Sequence, residues 1–215
     1  MSQRIAIIDY GSGNLRSVEK AFERAAHESG LAAMMSVTDD PDEICKADRL
    51  LLPGVGAFGA CMAGLSARDG VLEAMEHVAL VEARPFLGIC VGMQLLAEKG
   101  LEFGEHQGLG WIPGKVASLS PADPTVRTPH MGWNTVSVSA PHHLMDNLDE
   151  EAFYFAHSYH FETENNAHAI GSTVHGEVIT AAIARDNIAG VQFHPEKSQH
   201  AGITLLKNFL TWDPS

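Results

Sequence analysis

One short stretch constrains the whole chain: Pro85-Phe86-Leu87-Gly88-Ile89-Cys90-Val91-Gly92-Met93-Gln94. A proline opens an apolar run with the length of a buried strand. The run ends at Gly88-Ile89-Cys90-Val91-Gly92, and Met93, Leu95, Leu96 and Ala97 then read as a helix. G-x-C-x-G between strand and helix is the cysteine form of a nucleophile elbow. So sharp a turn needs small neighbours, which Gly88 and Gly92 supply. The thiol sits at the first turn of a helix, where unpaired N–H groups and the dipole favour negative charge. The N–H of Val91 is placed to meet an oxyanion forming beside Cys90. Taken alone, Cys90 fits a buried core cysteine equally well.

The rest of the chain suits such a scaffold. At 215 residues, 45% of them hydrophobic and 19% charged, it can bury a sizeable core, and residues 1–215 read as a single domain. Fourteen basic against 27 acidic residues give a net charge of −13, which argues against nucleic acid or an anionic membrane as partner. No apolar run reaches membrane-spanning length. The residues ahead of Ile5-Ala6-Ile7-Ile8 are too few for a signal peptide. Cys45, Cys61 and Cys90 form no C-x-x-C pair, and an odd count of free thiols predicts a reducing cytoplasm.

Alternation sets the fold class. Strands are predicted at Ile5–Asp9, Ala32–Val37 and Arg49–Leu52, before the elbow strand. Between them lie a helix capped by Asn14 with Leu15, Val18, Phe22 and Ala25 on one face, and a short helix over Pro41–Lys46. Further helices are predicted at Phe58–Leu65 and Val71–Val81. This is a parallel sheet covered by helices. After Glu102 the character changes. Ser118–Pro129 reads as a surface loop, followed by strands Thr135–Val138, Ala152–Ala156, Ala169–Val174, Ile179–Ala184 and Ile188–Phe193. Turn residues between them predict hairpins that join the same sheet. A helix carrying Ile203, Leu206 and Leu210 closes the chain.

A catalytic cysteine needs a base and a group to orient that base. His194, in Val191-Gln192-Phe193-His194-Pro195-Glu196, stands at a strand end where Pro195 favours extended backbone. An extended segment places His194 and Glu196 on one face. The same pair also reads as a solvated strand end; joined to an elbow at Cys90 it reads as a Cys-His-Glu triad. Pro53-Gly54-Val55-Gly56 follows the third strand, and its glycines permit a backbone N–H, from Gly54 or Val55, to serve as second oxyanion donor. The same four residues also fit an ordinary tight turn. Gly11-Ser12-Gly13 lacks the third glycine of a dinucleotide fingerprint, because Arg16 stands there. His142-His143 and His157-x-x-His160 lack the companions of a metal site, so neither metal nor other cofactor is expected.

Gly88-Ile89-Cys90-Val91-Gly92-Met93-Gln94 with His194-Pro195-Glu196 resembles the class I (triad) glutamine amidotransferases. Asp9-Tyr10-Gly11-Ser12-Gly13-Asn14-Leu15, Pro53-Gly54-Val55-Gly56-Ala57-Phe58-Gly59, Pro129-His130-Met131-Gly132-Trp133-Asn134, His157-Ser158-Tyr159 and His194-Pro195-Glu196-Lys197-Ser198 narrow the likeness. They are similar to the branch that feeds ammonia to a (β/α)8-barrel cyclase making imidazole glycerol phosphate in histidine biosynthesis. Val91 stands where that family often has leucine. The resemblance implies a flavodoxin-like three-layer sandwich with a mixed, mostly parallel central sheet. It implies Cys90 as nucleophile, His194 as acid and base, Glu196 as its orienter, and Val91 with the Gly54–Val55 region as oxyanion hole. It places Gly56, Gln94 and Glu102 at the amino-acid end of glutamine, with Ser158 and Tyr159 nearby. It puts Trp133, Tyr154 and Lys197 at the contact with the cyclase, as a heterodimer.

Three other readings remain open on the residues alone. They are an amidotransferase serving another acceptor, a thiol hydrolase, and a non-catalytic nucleotide-binding module in which Cys90, His194 and Glu196 meet by coincidence.

Overall fold

The computed structural model describes residues 2–123 and 125–214; Met1, Pro124 of the expected loop, and Ser215 lie outside the described residues. The first half alternates as the sequence predicts. Strand β1 (Gln3–Ile8) leads to α1 (Leu15–Glu28), β2 (Ala33–Thr38), α2 (Pro41–Cys45), β3 (Arg49–Gly54), α3 (Phe58–Ser66), α4 (Val71–Glu76) and β4 (Phe86–Cys90). A single-turn helix α5 (Val91–Gln94) follows, then β5 (Lys99–Gly100), β6 (His106–Gln107) and β7 (Gly114–Ser118). The second half runs β8 (His130–Val138), β9 (Glu151–His157), β10 (Tyr159–Thr163), β11 (Ala169–Val174), β12 (Val178–Arg185), β13 (Ile188–Val191) and α6 (Gln199–Thr211).

Nine strands form the main sheet, in the order β2-β1-β3-β4-β13-β12-β11-β8-β9. The sheet is mixed, as expected, and divides evenly. The pairings from β2 to β13 are parallel, and those from β13 to β9 are antiparallel. β3, β4 and β13 are buried along their whole length, which is why they read as continuous apolar runs. Crossovers fix the layers. From β1 the chain steps through α1 to β2 at the edge, then through α2 to β3 on the other side, and through α3 and α4 to β4. Right-handed crossovers in opposite directions put α1 on one face and α2, α3 and α4 on the other. α6 joins the α1 face, where Phe22 and Phe209 meet edge to face at 6.0 Å. The direction of travel reverses between β1 and β3, and a parallel sheet offers its binding crevice at the carboxyl ends beside such a point. The buried side chains form one contiguous core.

Three expectations need correction. Asn14 precedes α1 but its side chain makes no capping hydrogen bond. The helix expected over Val71–Val81 is α-helical only to Glu76, and His77–Val81 is a π-turn. Asn187 explains the change: its Nδ2 donates to the carbonyls of Ala79 and Arg84 at 2.7 Å each, taking the Ala79 carbonyl from the helical ladder. The helix after the elbow stops at Gln94 and does not continue through Leu95, Leu96 and Ala97. The carbonyls of Leu95, Leu96 and Ala97 accept instead from the N–H groups of Leu109, Ile112 and Gly110. The five later strands that the sequence predicts do join the main sheet, and β10, which it does not announce, lies apart from it. β10 pairs with β7, and with β5 and β6 these strands make a second sheet in the order β10-β7-β5-β6.

Candidate active site

The elbow is built by close approach. A Cβ on Gly92 would lie 1.6 Å from the Leu52 carbonyl oxygen, and one on Gly88 would lie 2.5 Å from that of Gly92. No side chain fits either place, so β3, β4 and the start of α5 touch backbone to backbone. Cys90 itself takes φ 55°, ψ −114°, a costly conformation for a residue with a side chain. Such strain persists only where the surroundings over-determine it, and it points the thiol out of the sheet. Because α5 has a single turn, its dipole adds little at Cys90.

Two parallel neighbours bring the base. β4 pairs with β13 in register Ile89 to Val191, so Cys90 and the residues after Val191 leave the sheet at one end. The His194 backbone is fixed there: its N–H donates to the Tyr154 carbonyl at 2.9 Å, and its carbonyl accepts from Ser198 Oγ at 2.6 Å. The ring lies within hydrogen-bonding reach of Cys90 and contacts Glu196 Oε1 through Nδ1 at 2.9 Å. His194 is extended, as expected, but Pro195–Lys197 forms a 3-10 turn. The turn, not an extended face, swings Glu196 under the imidazole. Burial is the largest single influence on His194 and lowers its pKa. The hydrogen bonds and charges of Cys90 and Glu196 together outweigh it and raise the value to about 9.

Cys90 opens into a cavity of about 330 Å³ lined by Val55, Gly56, Val91, Gln94, Glu102, Ser158, Tyr159, His194 and Lys197 among others. That volume is of the size that takes a small molecule. Glu102 stands on its wall and accepts from the Phe58 N–H at 2.7 Å, which anchors one carboxylate oxygen at the start of α3. Gly54 lies beside Cys90 in the β3–β4 register and does not line the cavity. Val91 opens α5, so its N–H precedes the helix's own ladder. The Val55 N–H donates to Ser12 Oγ at 3.2 Å, so it is engaged on the β1 side. Cys61 Sγ lies 3.5 Å from both Ser12 Oγ and the Val55 carbonyl.

Trp133 and Tyr154 lie outside the cavity lining, edge to face at 6.2 Å, and Lys197 Nζ sits 5.6 Å over the Tyr154 ring. Trp133 is half exposed, and Met131 beside the cavity more so. Sequence reasoning missed Gln192, which is wholly buried and donates to Cys90 Sγ at 3.8 Å. It also gave no contacts to His157, which lines the cavity and hydrogen-bonds His130 and the Tyr159 carbonyl. The signal for Gln192 was present: a polar residue interrupting an apolar strand two positions before the base.

Comparison with known proteins bears on the arrangement as a whole. The family profile "Glutamine amidotransferase class-I" matches residues 6–212. The chain is similar to the "Imidazole glycerol phosphate synthase subunit HisH" of Rhodospirillum rubrum, 55% identical over 213 residues, 98% of this chain and 100% of that one. The subunit of the same description from Caulobacter vibrioides is 54% identical over 213 residues, covering 99% and 100%. Among solved structures, a glutamine amidotransferase superposes with a TM-score of 0.71 over 96% of both chains at 16% identity. Another, from Thermotoga maritima, gives 0.64 over 98% and 97% at 15% identity. At those identities the structures speak for the fold alone. With the profile spanning nearly the whole chain, the protein belongs to the class I glutamine amidotransferases.

Proposed function

We infer that this chain is a glutaminase that hydrolyses glutamine to glutamate and ammonia and hands the ammonia to a cyclase subunit of imidazole glycerol phosphate synthase. One observation carries the chemistry: a strained thiol facing a buried His194–Glu196 pair, at the floor of a small-molecule cavity. Cys90 Sγ attacks the side-chain amide carbon, and the oxyanion gathers at the Val91 N–H. The second donor is the Val55 N–H, after its peptide turns from Ser12. His194 gives its proton to the departing amide nitrogen, which leaves as ammonia. A water then loses a proton to His194 and attacks the thioester, and the thiol is restored as glutamate leaves. Glu196 holds the imidazole by Nδ1 and stabilises its charge.

Glutamine enters with its α-ammonium toward Glu102 and its backbone end near Gly56, Gln94, Ser158 and Tyr159. The choice of acceptor rests on the names of the relatives at about half identity along the whole chain. Trp133, Tyr154 and Lys197 form the contact with the (β/α)8-barrel cyclase in a heterodimer. Lys197 lines the cavity and sits over the Tyr154 ring, which meets Trp133 edge to face. The test supplies 15N-amide glutamine to the chain with the cyclase and its ribonucleotide substrate. Label in imidazole glycerol phosphate supports the reading. Label confined to free ammonia, with transfer to another synthase partner, overturns the choice of acceptor.

A further inference from the structure

From the cavity wall, where Gln94 and His157 stand, runs a chain of largely buried side chains that the triad does not use. Asn134 Nδ2 lies 3.1 Å from His130 Nε2, His130 Nδ1 lies 2.9 Å from His157 Nε2, and His157 Nδ1 lies 2.9 Å from the Tyr159 carbonyl. The same carbonyl accepts from Gln94 Nε2 at 2.9 Å, and Gln94 Nε2 also donates to Gln192 Oε1 at 3.0 Å. Gln192 Nε2 then faces Cys90 Sγ at 3.8 Å.

Directions are fixed at both ends. Asn134 Oδ1 accepts from the Thr135 N–H and its Nδ2 donates to the Val174 carbonyl, so its amide has one orientation. The Tyr159 carbonyl only accepts, so His157 carries its proton on Nδ1 and offers Nε2 as acceptor. His130 then donates from Nδ1 and accepts at Nε2 from Asn134. One proton on each ring satisfies every contact. A second proton on either ring would set N–H against N–H. Burial lowers both rings' pKa values, His130 to about 4 and His157 to about 3, which keeps them in this state.

The two glutamines are equally committed. Both hydrogens of Gln94 Nε2 are spent on acceptors, which fixes its amide, and that fixes Gln192 with its oxygen toward Gln94 and its nitrogen toward sulfur. Among the described residues Cys90 is the one acceptor that Gln192 Nε2 meets. A thiol is a weak acceptor and a thiolate a strong one. A wholly buried amide in this position therefore favours the charged nucleophile and fixes its place.

We propose that Gln192 is a second hydrogen-bond partner of the nucleophile, and that His130 and His157 are positioning residues that hold it there through the Tyr159 carbonyl and Gln94. The proposal rests on the reading of Cys90 as nucleophile. It gives three side chains outside the triad a part in the same reaction: Gln192 touches the reacting atom, and the two histidines act through it.

The test uses the intact chain with Gln192→Met, which keeps length and loses the donor. Iodoacetamide alkylation of Cys90 is followed against pH, with peptide mass spectrometry separating Cys90 from Cys45 and Cys61. The other titratable groups around Cys90 include His194 and Glu196 after β13, Tyr10 after β1, Cys61 on α3, and Glu102, His157, Tyr159 and Lys197 in the cavity wall, and these stay unchanged. The expected result is an alkylation profile moved up by about one pH unit, about a tenfold loss of thiolate at fixed pH. Glutaminase kcat falls about as much, since the lost donor acts on the attacking sulfur. His130→Phe keeps the stacking against Phe155 and His175 but deletes both ring nitrogens. It moves the profile in the same direction by less, and a merely structural role would change the melting temperature and leave the profile in place. If Gln192→Met does not fold, the isosteric Gln192→Glu decides instead, with a larger upward shift expected. A profile that superimposes on wild type overturns the proposal while Cys90→Ala remains inactive. Full activity in Cys90→Ala overturns the underlying reading instead.

Discussion

His194 and Glu196 face each other at 2.9 Å with side chains only 4% and 2% exposed. They stand two positions apart, joined by a proline that begins a 3-10 turn. His194 and Glu196, the proposed base and its orienter, are thus one local unit, and Cys90 comes to it from the neighbouring strand. The consequences divide by residue.

Cys90→Ala is expected to remove glutamine hydrolysis while leaving the fold and partner binding intact, because one thiol forms the covalent intermediate. The cyclase reaction with added ammonium salt should continue at an unchanged rate. Steady-state assays with each nitrogen source check both halves. Glutamine-dependent turnover near wild type would remove Cys90 from its place.

Glu196→Gln is expected to cost less than His194→Ala in kcat. The glutamine still accepts at Nδ1 through its oxygen, whereas alanine leaves no group to move a proton. In triads the orienting residue is worth several powers of ten, yet less than the base. Equal losses would take the orienting role from Glu196.

The raised pKa of His194 gives a pH signature. Its value of about 9 lies above the ordinary 6.5, held up by Cys90 and Glu196 against burial. The imidazolium that protonates the leaving nitrogen is therefore retained at neutral pH and lost as pH rises through about 9. The same sign governs stability: the contribution is complete below 6.5 and disappears between 6.5 and about 9. A kcat/KM profile should fall on its alkaline side near 9, and Glu196→Gln should move that limb toward lower pH. A limb that stays in place in the variant would contradict the assignment.

The Val55 N–H, held by Ser12 Oγ at 3.2 Å, is unavailable to the oxyanion in this arrangement. The isolated chain is therefore expected to be a poor glutaminase that the cyclase and its ligand activate, because one oxyanion donor is worth about a hundred- to a thousandfold in kcat. Ser12→Ala removes both hydrogen bonds that Ser12 Oγ makes to Val55, one accepted from its N–H and one donated to its carbonyl, and should raise basal hydrolysis by about fivefold or more, with a smaller activation ratio. Identical rates for the lone chain, the complex and the ligand-bound complex would exclude such a switch.

Gly92→Ala is expected to destabilise the fold by about 3 kcal/mol or more, since its methyl group would meet a backbone carbonyl that no rotamer can move. Chemical denaturation checks the size. Conserved stability would mean that β3 and β4 can part at no cost.

Much of this was legible in the chain. Strands buried on both faces announce themselves by composition, so β1, β3, β4 and β13 were found with errors only at their ends. The meeting of Cys90, His194 and Glu196, the proposed triad, was legible because glycine spacing and the His-Pro-Glu sequence each restrict backbone locally. What was missed depends on distant partners. β5 and β6 have two residues each, too few for any period to register, and β10 belongs to a second sheet that only the pairing with β7 reveals. The shortened α5 follows from carbonyls captured by residues 109–112, and Gln192 gains its meaning from Gln94, nearly a hundred positions earlier. Side-chain alternation cannot report such contacts.

The pairing of β4 with β13 also sets an order of assembly. Gln192 and Cys90 are 102 positions apart, and they meet only when the last strand, β13, enters the sheet. A growing chain that has completed the elbow therefore holds a cysteine with neither base nor donor beside it. Its reactivity arrives with the closing of the sheet, late on the folding route, because such long-range pairing is slow. Competence for chemistry is then a report that the whole domain has folded, and a truncated or half-synthesised chain stays chemically silent.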